Sequence, residues 1–421
     1  MRASKWGKTL GGFLGTLWVL GTATYAGQGT LFTIERLTAE AEGLWLQGHS
    51  EQALQKFEQA LTQIRDIGER GREWQVLDRM GRIYLEQDQF QPALERFQQG
   101  LKVTLDLGDG SAQAVQLAAI GETYNLLQQP LQAIATYESL LTLEEERQDR
   151  AGQWRALYGL GFSHKTNGSP SQAVPHIQRA LELARSLEDQ SLALLALQEL
   201  EADYAALADY AEVARYSDEI VQLARALGDR GLVAEKLATS GYAYEQLGNF
   251  RRAVAQYQAA LGVYREVNDA QSEWRVLDDL GRVAGKQGDR REAVTHYQEA
   301  LRVAQRAGLR EGQVSALEHT AAAYRSVKDY EKATQYYQQA LKAAKEAKLR
   351  EYEWLVLSDL GGMYGEMGNA KGAVAHYQQA LTVARQLGDK DAEKQIRDAL
   401  ARYDKPSGSK DTKDSKPARK R

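Results

Sequence analysis

The 421-residue chain contains no cysteine, which excludes structural disulfides, thiolate metal sites, cysteine nucleophiles and a lipid anchor attached through cysteine. It contains only six prolines and four methionines. Few prolines together with abundant Ala, Leu, Gln, Glu and Arg favour helix throughout, so an all-α chain is expected. There are only six histidines, and no Ser-His-Asp order, phosphate loop or HExxH spacing accompanies them. His176, His296 and His376 recur on an outer column but stand two or three repeats apart, too far to share a metal. The expectation is therefore a protein that is not an enzyme and needs no cofactor.

The net charge of -4 conceals two basic ends. Arg2, Lys5 and Lys8 face no acid in residues 1–26, and residues 405–421 hold seven bases to two acids, which leaves the body at -12. Nucleic-acid binding needs clustered Lys and Arg, so a body this acidic is not expected to bind it. Residues 1–26 have a basic start, an apolar stretch from about Thr9 to Ala23 and small residues before Gly27, the layout of a signal peptide or, with GxxxG spacing at Gly11 and Gly15, a membrane anchor. Either leads to an exported body in the periplasm or another extracytoplasmic compartment, soluble or held near a membrane through residues 9–26. The stretch KPSGSKDTKDSKPARKR at the other end has no large apolar side chain and reads as a disordered basic tail.

What fills the interior is repetition. EWQVLDRMGRIY at 73–84 returns as EWRVLDDLGRVA at 273–284 and as EWLVLSDLGGMY at 353–364. Both offsets are multiples of forty, and nine units of forty run from 31 to 390 without an insertion, followed by a polar capping helix over 391–404. Each unit carries two apolar stripes at helical spacing, separated by turns such as Leu247-Gly248-Asn249, where glycine permits a left-handed residue. One column of the first stripe is Gly81, Gly121, Gly161, Gly241, Gly281 and Gly361. One column of the second is alanine from Ala53 to Ala373. Small residues there let two backbones approach while neighbouring aromatics fill the flanks.

The pattern W-x2-L-x3-G-x2-Y followed by A-x3-F/Y-x2-A-L resembles the tetratricopeptide repeat. A period of forty and a missing terminal proline make it similar to the long-helix variety of kinesin light chains and cell-polarity scaffolds, in an exported bacterial, cyanobacterial-type setting. The resemblance implies an α-α superhelical solenoid of nine helix-turn-helix repeats, whose first helices line a concave groove. It also implies a protein or peptide client in that groove.

Two zones are expected on the lining columns. Val115, Tyr158, Phe162, Leu195 and Tyr242 form an apolar one, suited to an amphipathic client or to self-association. Asp278, Asp279, Arg282, Glu318, His319, Arg325 and Asp359 form a charged one, suited to salt bridges or to a basic or mixed-charge peptide. Asp279, His319 and Asp359 share one column in successive units, which makes them candidates for a divalent metal. The Lys/Asn pair of a carboxylate clamp is absent. In the fifth unit Glu201 replaces the packing glycine, Val213 the alanine and Ser217 the aromatic, so a bend is expected there. The functions implied are a scaffold that holds a client during assembly of a membrane-associated complex, an assembly factor that also delivers a metal such as manganese for a photosystem, or a purely structural, self-associating solenoid.

Overall fold

Helices here end where a residue adopts positive φ. Gly68 (φ 74°) closes one such end, with its N–H bonded to Arg65 O and the next amide, of Glu69, to Ile64 O, which satisfies carbonyls the helix leaves open. Asp88, Gln128, Gln148, Glu188, Ala208, Asn268, Lys328 and Lys348 take the same conformation with φ between 55° and 61°. The sequence reading located only the glycine turns, because a non-glycine residue in this region costs on the order of 1 kcal/mol and tertiary packing enforces it. Aspartates start the following helices. Asp109 Oδ1 accepts from Ala112 N–H at 3.0 Å, and Asp229 Oδ1 from Leu232 N–H at 3.0 Å.

The computed structural model describes residues 25–403. The basic leader lies outside the described residues except for Tyr25 and Ala26, and the tail 405–421 lies wholly outside them. Among the described residues there are nineteen α-helices and no strand. They are α1 (Tyr25–Leu46), α2 (Ser50–Ile67), α3 (Arg70–Glu86), α4 (Phe90–Leu107), α5 (Gly110–Leu126), α6 (Pro130–Glu146), α7 (Arg150–Thr166), α8 (Pro170–Ser186), α9 (Gln190–Ala206) and α10 (Tyr210–Leu227). The series continues with α11 (Arg230–Gln246), α12 (Phe250–Glu266), α13 (Ala270–Gln287), α14 (Arg290–Arg306), α15 (Arg310–Ser326), α16 (Tyr330–Ala347), α17 (Arg350–Glu366), α18 (Ala370–Leu387) and α19 (Lys390–Leu400). None of the described helices is long and apolar enough to cross a membrane.

The chain divides into two compact units, Met1–Tyr216 and Ser217–Arg421, so the division falls in the second helix of the fifth repeat. Within each unit helices pair in sequence order, and each pair packs on the next. The first helices of successive repeats also meet directly, α3 with α5 and α5 with α7 in the first unit, α13 with α15 and α15 with α17 in the second.

The glycine column explains the pairing. A Cβ built on Gly281 would lie 2.6 Å from Tyr297 Cε1, and one on Gly121 would lie 2.7 Å from Tyr137 Cζ. The aromatic of the second helix occupies the room that the glycine leaves in the first. The alanine column from Ala53 to Ala373 is buried throughout, and Val213 takes that place in the fifth repeat, also buried. Burying these rings and the flanking leucines contributes about 1.5–3 kcal/mol per large side chain. The helix faces they cover are thereby spent on packing, which leaves a different face of each first helix for other uses.

Candidate functional site: the first-helix faces of the two units

In the first unit the expected apolar residues sit on α5, α7 and α9. Val115, Tyr158 and Leu195 are half-buried, while Phe162 is 43% exposed. Ala119, one turn along α5 from Val115, packs in the core with Ala93, Leu94 and Phe97. The zone is not purely apolar. Tyr158 stacks on Trp154 with ring centroids 4.9 Å apart and donates to Glu199 Oε1 at 3.4 Å, and Lys165 Nζ reaches Glu199 Oε2 at 2.6 Å. The sequence reading missed this pair because it followed apolar letters down columns, whereas Tyr158 and Glu199 are forty-one residues apart. Asp203 on α9 is 1% exposed with neither carboxylate oxygen hydrogen-bonded. Burial pushes its pKa up to about 6, against the pull of Lys165.

Another pairing appeared only in the structure. His164 and His176 stack with centroids 5.3 Å apart, in the place where Tyr324 and Tyr336 stack in the eighth repeat. The recurring Tyr of the first helix was the available signal for this position. Burial, then the neighbouring His164, depresses the pKa of His176.

In the second unit Tyr242 on α11 is 43% exposed. The charged residues on α11, α13, α15 and α17 form one linked row. Glu245, 2% exposed, is gripped by Arg282, by Lys286 Nζ at 2.8 Å and by the Tyr257 hydroxyl at 3.2 Å. Arg282 turns its other nitrogen to Asp279. His319 Nδ1 lies 2.5 Å from Asp278 Oδ1, and its Nε2 lies 3.3 Å from Glu318. Arg325 binds Glu366 at 2.7 Å and lies 3.7 Å from Asp359, whose backbone carbonyl also accepts from it.

Six carboxylates thus share three permanent cations and one imidazole. Burial, then the charge of Asp278, raises Asp279 to about 7, although a third of its side chain still meets solvent. The row lies among enough surrounding protein to lose much of its hydration without being closed off. Burial also raises Glu318, which shares a hydrogen bond with Asp359. Burial would lower His319, but the hydrogen bond and charge of Asp278, with the charge of Glu318, outweigh it and hold the imidazole at about 9. His319 is therefore a cation at neutral pH.

The expected ladder of Asp279, His319 and Asp359 does not form. His319 goes to Asp278, Asp279 to Arg282, and Asp359 to Arg325 and Glu318. Among the described residues no group of three His, Asp or Glu side chains could hold a metal ion. The reason is register. Side chains that meet across this row are 34, 37 or 41 residues apart, never forty, because neighbouring first helices are offset and one residue of offset turns a side chain by about 100°.

Tandem pairs of antiparallel helices, joined by left-handed turns and keyed by small residues at one column, define a helical-repeat solenoid protein. Tetratricopeptide-repeat models match residues 237–266, 274–346 and 355–387. The chain is a tetratricopeptide repeat protein.

Among solved structures it is similar to a signal-transduction ATPase with a tetratricopeptide repeat sensor from Pyrococcus horikoshii. Identity is 18% and the TM-score 0.47, over 77% of this chain and 49% of that one, so this chain spans about half of that protein's length. It is also similar to a tetratricopeptide repeat protein from Parabacteroides merdae, at 16% identity and a TM-score of 0.40, over 68% of this chain and 99% of that one. A comparison with curated proteins found no match.

Proposed function

We propose that this protein is a non-enzymatic interaction scaffold that holds a protein or peptide client on the first-helix face of its repeats. The observation that carries this reading is the linked row on α11, α13, α15 and α17. Around the buried Glu245, its other side chains stay partly open to solvent and carry more carboxylates than the cations they pair with. Such a row offers register-specific partners to a basic or mixed-charge segment, and charge complementarity sets specificity and encounter rate. Phe162 in the first unit, beside the half-buried Tyr158, and Tyr242 in the second supply exposed aromatic anchors of the kind that dominate binding energy.

The body is placed outside the cytoplasm, close to a membrane, where it serves the assembly of a complex. That placement is supported by the basic and apolar composition of residues 1–26. The acidic body argues against nucleic acid as a partner. Self-association through the exposed aromatics remains an outcome of the test below.

The test is a selection of peptides from a random display library on the full chain. Selected peptides are measured again on a Tyr158→Ala/Phe162→Ala variant and on a Glu318→Gln/Asp359→Asn variant. At least one variant should weaken binding about ten-fold, the loss of a contact worth about 1.4 kcal/mol. Peptides that ignore both variants, or a light-scattering mass that falls to that of one chain only in the aromatic variant, would remove the client reading.

A further inference from the structure

The described chain ends beside the charged row. After α19, Tyr403 turns back so that its ring lies 6.2 Å from the ring of Tyr377, and its hydroxyl rests against Gly365 of α17. Gly365 has no side chain, and a Cβ there would collide with that hydroxyl. The next residue along α17 is Glu366, a member of the row, bound to Arg325. The backbone is therefore delivered to the C-terminal end of the row, and seven bases against two acids follow at 405–421.

Reach and charge both fit. The eighteen residues after Tyr403 span up to about 60 Å when extended, at roughly 3.3 Å each. Neighbouring first helices lie about 10 Å apart, so α11 is roughly 30 Å from α17 and within range. The row holds six carboxylates against Arg282, Lys286, Arg325, protonated His319 and the Arg275 that faces Asp279, and it belongs to a body whose formal charge is -12, so the +5 segment meets an acidic surface. Linkage through so short a tether gives an effective concentration in the millimolar range, enough for a modest affinity to be satisfied within one molecule.

We propose that the basic segment 405–421 is an intramolecular occupant of the first-helix face of the second unit, and that a client must displace it. This regulation rests on the reading of that face as the client site. A second copy or an anionic membrane would be the competing destinations of the same bases, and the experiment separates them.

Because the chain has no cysteine, Ser415→Cys gives a single labelling position in the full chain. A benzophenone attached there is photolysed in an equal mixture of unlabelled and 15N-labelled protein, without lipid, and the cross-links are mapped by mass spectrometry. The expected result is cross-links to α13, α15 and α17 within one isotopic copy. They should fall at least about five-fold in 0.5 M NaCl, where screening shortens the electrostatic range. The same loss is expected in a chain carrying Lys416→Gln, Arg419→Gln, Lys420→Gln and Arg421→Gln, which leaves the folded repeats untouched.

A fluorescein-labelled peptide of sequence 405–421, added in trans, should bind this chain, whose tail charge has fallen from +5 to +1, about ten-fold more tightly than the wild type. Cross-links joining the two isotopes would assign the segment to a second copy. An absence of cross-links, with capture of the wild-type chain by phosphatidylglycerol vesicles, would assign it to lipid. Equal affinity of the peptide for both chains would show that the face is not occupied. Each of these three results overturns the proposal. If the cross-links form within one copy while no displayed peptide binds the face of either chain, the client reading fails and the tail contact stands.

Discussion

His319 Nδ1 stands 2.5 Å from Asp278 Oδ1 on the preceding first helix, and this contact holds the imidazole in its charged form against the effect of burial. The imidazole should titrate near pH 9. Histidine carbon-proton correlation spectra across pH would follow it, and Asp278→Asn should bring the midpoint down to the ordinary 6.5 or below, because burial then acts with less opposition. A midpoint that stays above 8 in the variant would show that Asp278 is not the cause.

The same row should make the second unit less stable as pH rises. A histidine raised from 6.5 to about 9 contributes stability that is full below 6.5 and lost as pH rises through 9. Asp279, raised from 3.8 to about 7, holds its proton more tightly when folded, so its contribution also declines as pH climbs from about 4 through 7. The groups facing them are Asp278, Glu318, Arg275, Arg282 and Tyr297. Thermal unfolding should move down between pH 6 and 9, and Asp279→Asn with His319→Gln should flatten that slope. An unchanged slope would exclude these two groups as its source.

Glu245 is the buried anchor of Arg282 and Lys286. Removing the guanidinium with Arg282→Met leaves a carboxylate under-compensated at a site 2% exposed. Breaking a buried pair on one side costs about 3–5 kcal/mol, and Lys286 should hold the loss toward the lower end. Urea unfolding checks this, and the double variant Arg282→Met/Glu245→Leu should recover at least half of the loss. No recovery would mean that Arg282 acts through packing.

Gly281 and Tyr297 share one volume. Gly281→Val should destabilise the protein by about 2–3 kcal/mol through overpacking, and Tyr297→Leu should relieve part of that cost in the double variant. Strictly additive losses in calorimetry would contradict the contact. At the same column of the eighth repeat Ala321 sits with a fully buried Tyr337, so Gly281→Ala should be far milder than valine.

Loss of one cap tests how local the stability is. Asp229→Ala removes the bond to Leu232 N–H at the start of α11 and should cost about 1 kcal/mol. Amide exchange should rise most in α11 and α12 and least in α18, since neighbours in a repeat stack share stability over short range. Uniform loss of protection would instead indicate one cooperative body.

The sequence by itself determined the helix pair and its repetition, because the glycine column, the alanine column and the aromatic that fills the gap are chemical requirements of backbone approach. They must recur wherever the approach recurs. It also pointed to columns with no role in the repeat's packing pattern, of which Phe162 and Tyr242 are exposed while Ala119 lies in the core.

Tertiary structure alone decided which free side chains meet. Asp279, His319 and Asp359 align as letters, yet the offset of adjacent helices gives His319 to Asp278 and Asp279 to Arg282. Tyr158 reads as apolar, yet it bonds Glu199 beside Lys165. Helix periodicity is a property of one segment and is written locally. Register between segments depends on crossing geometry summed over whole side-chain surfaces, and no single column of letters records it.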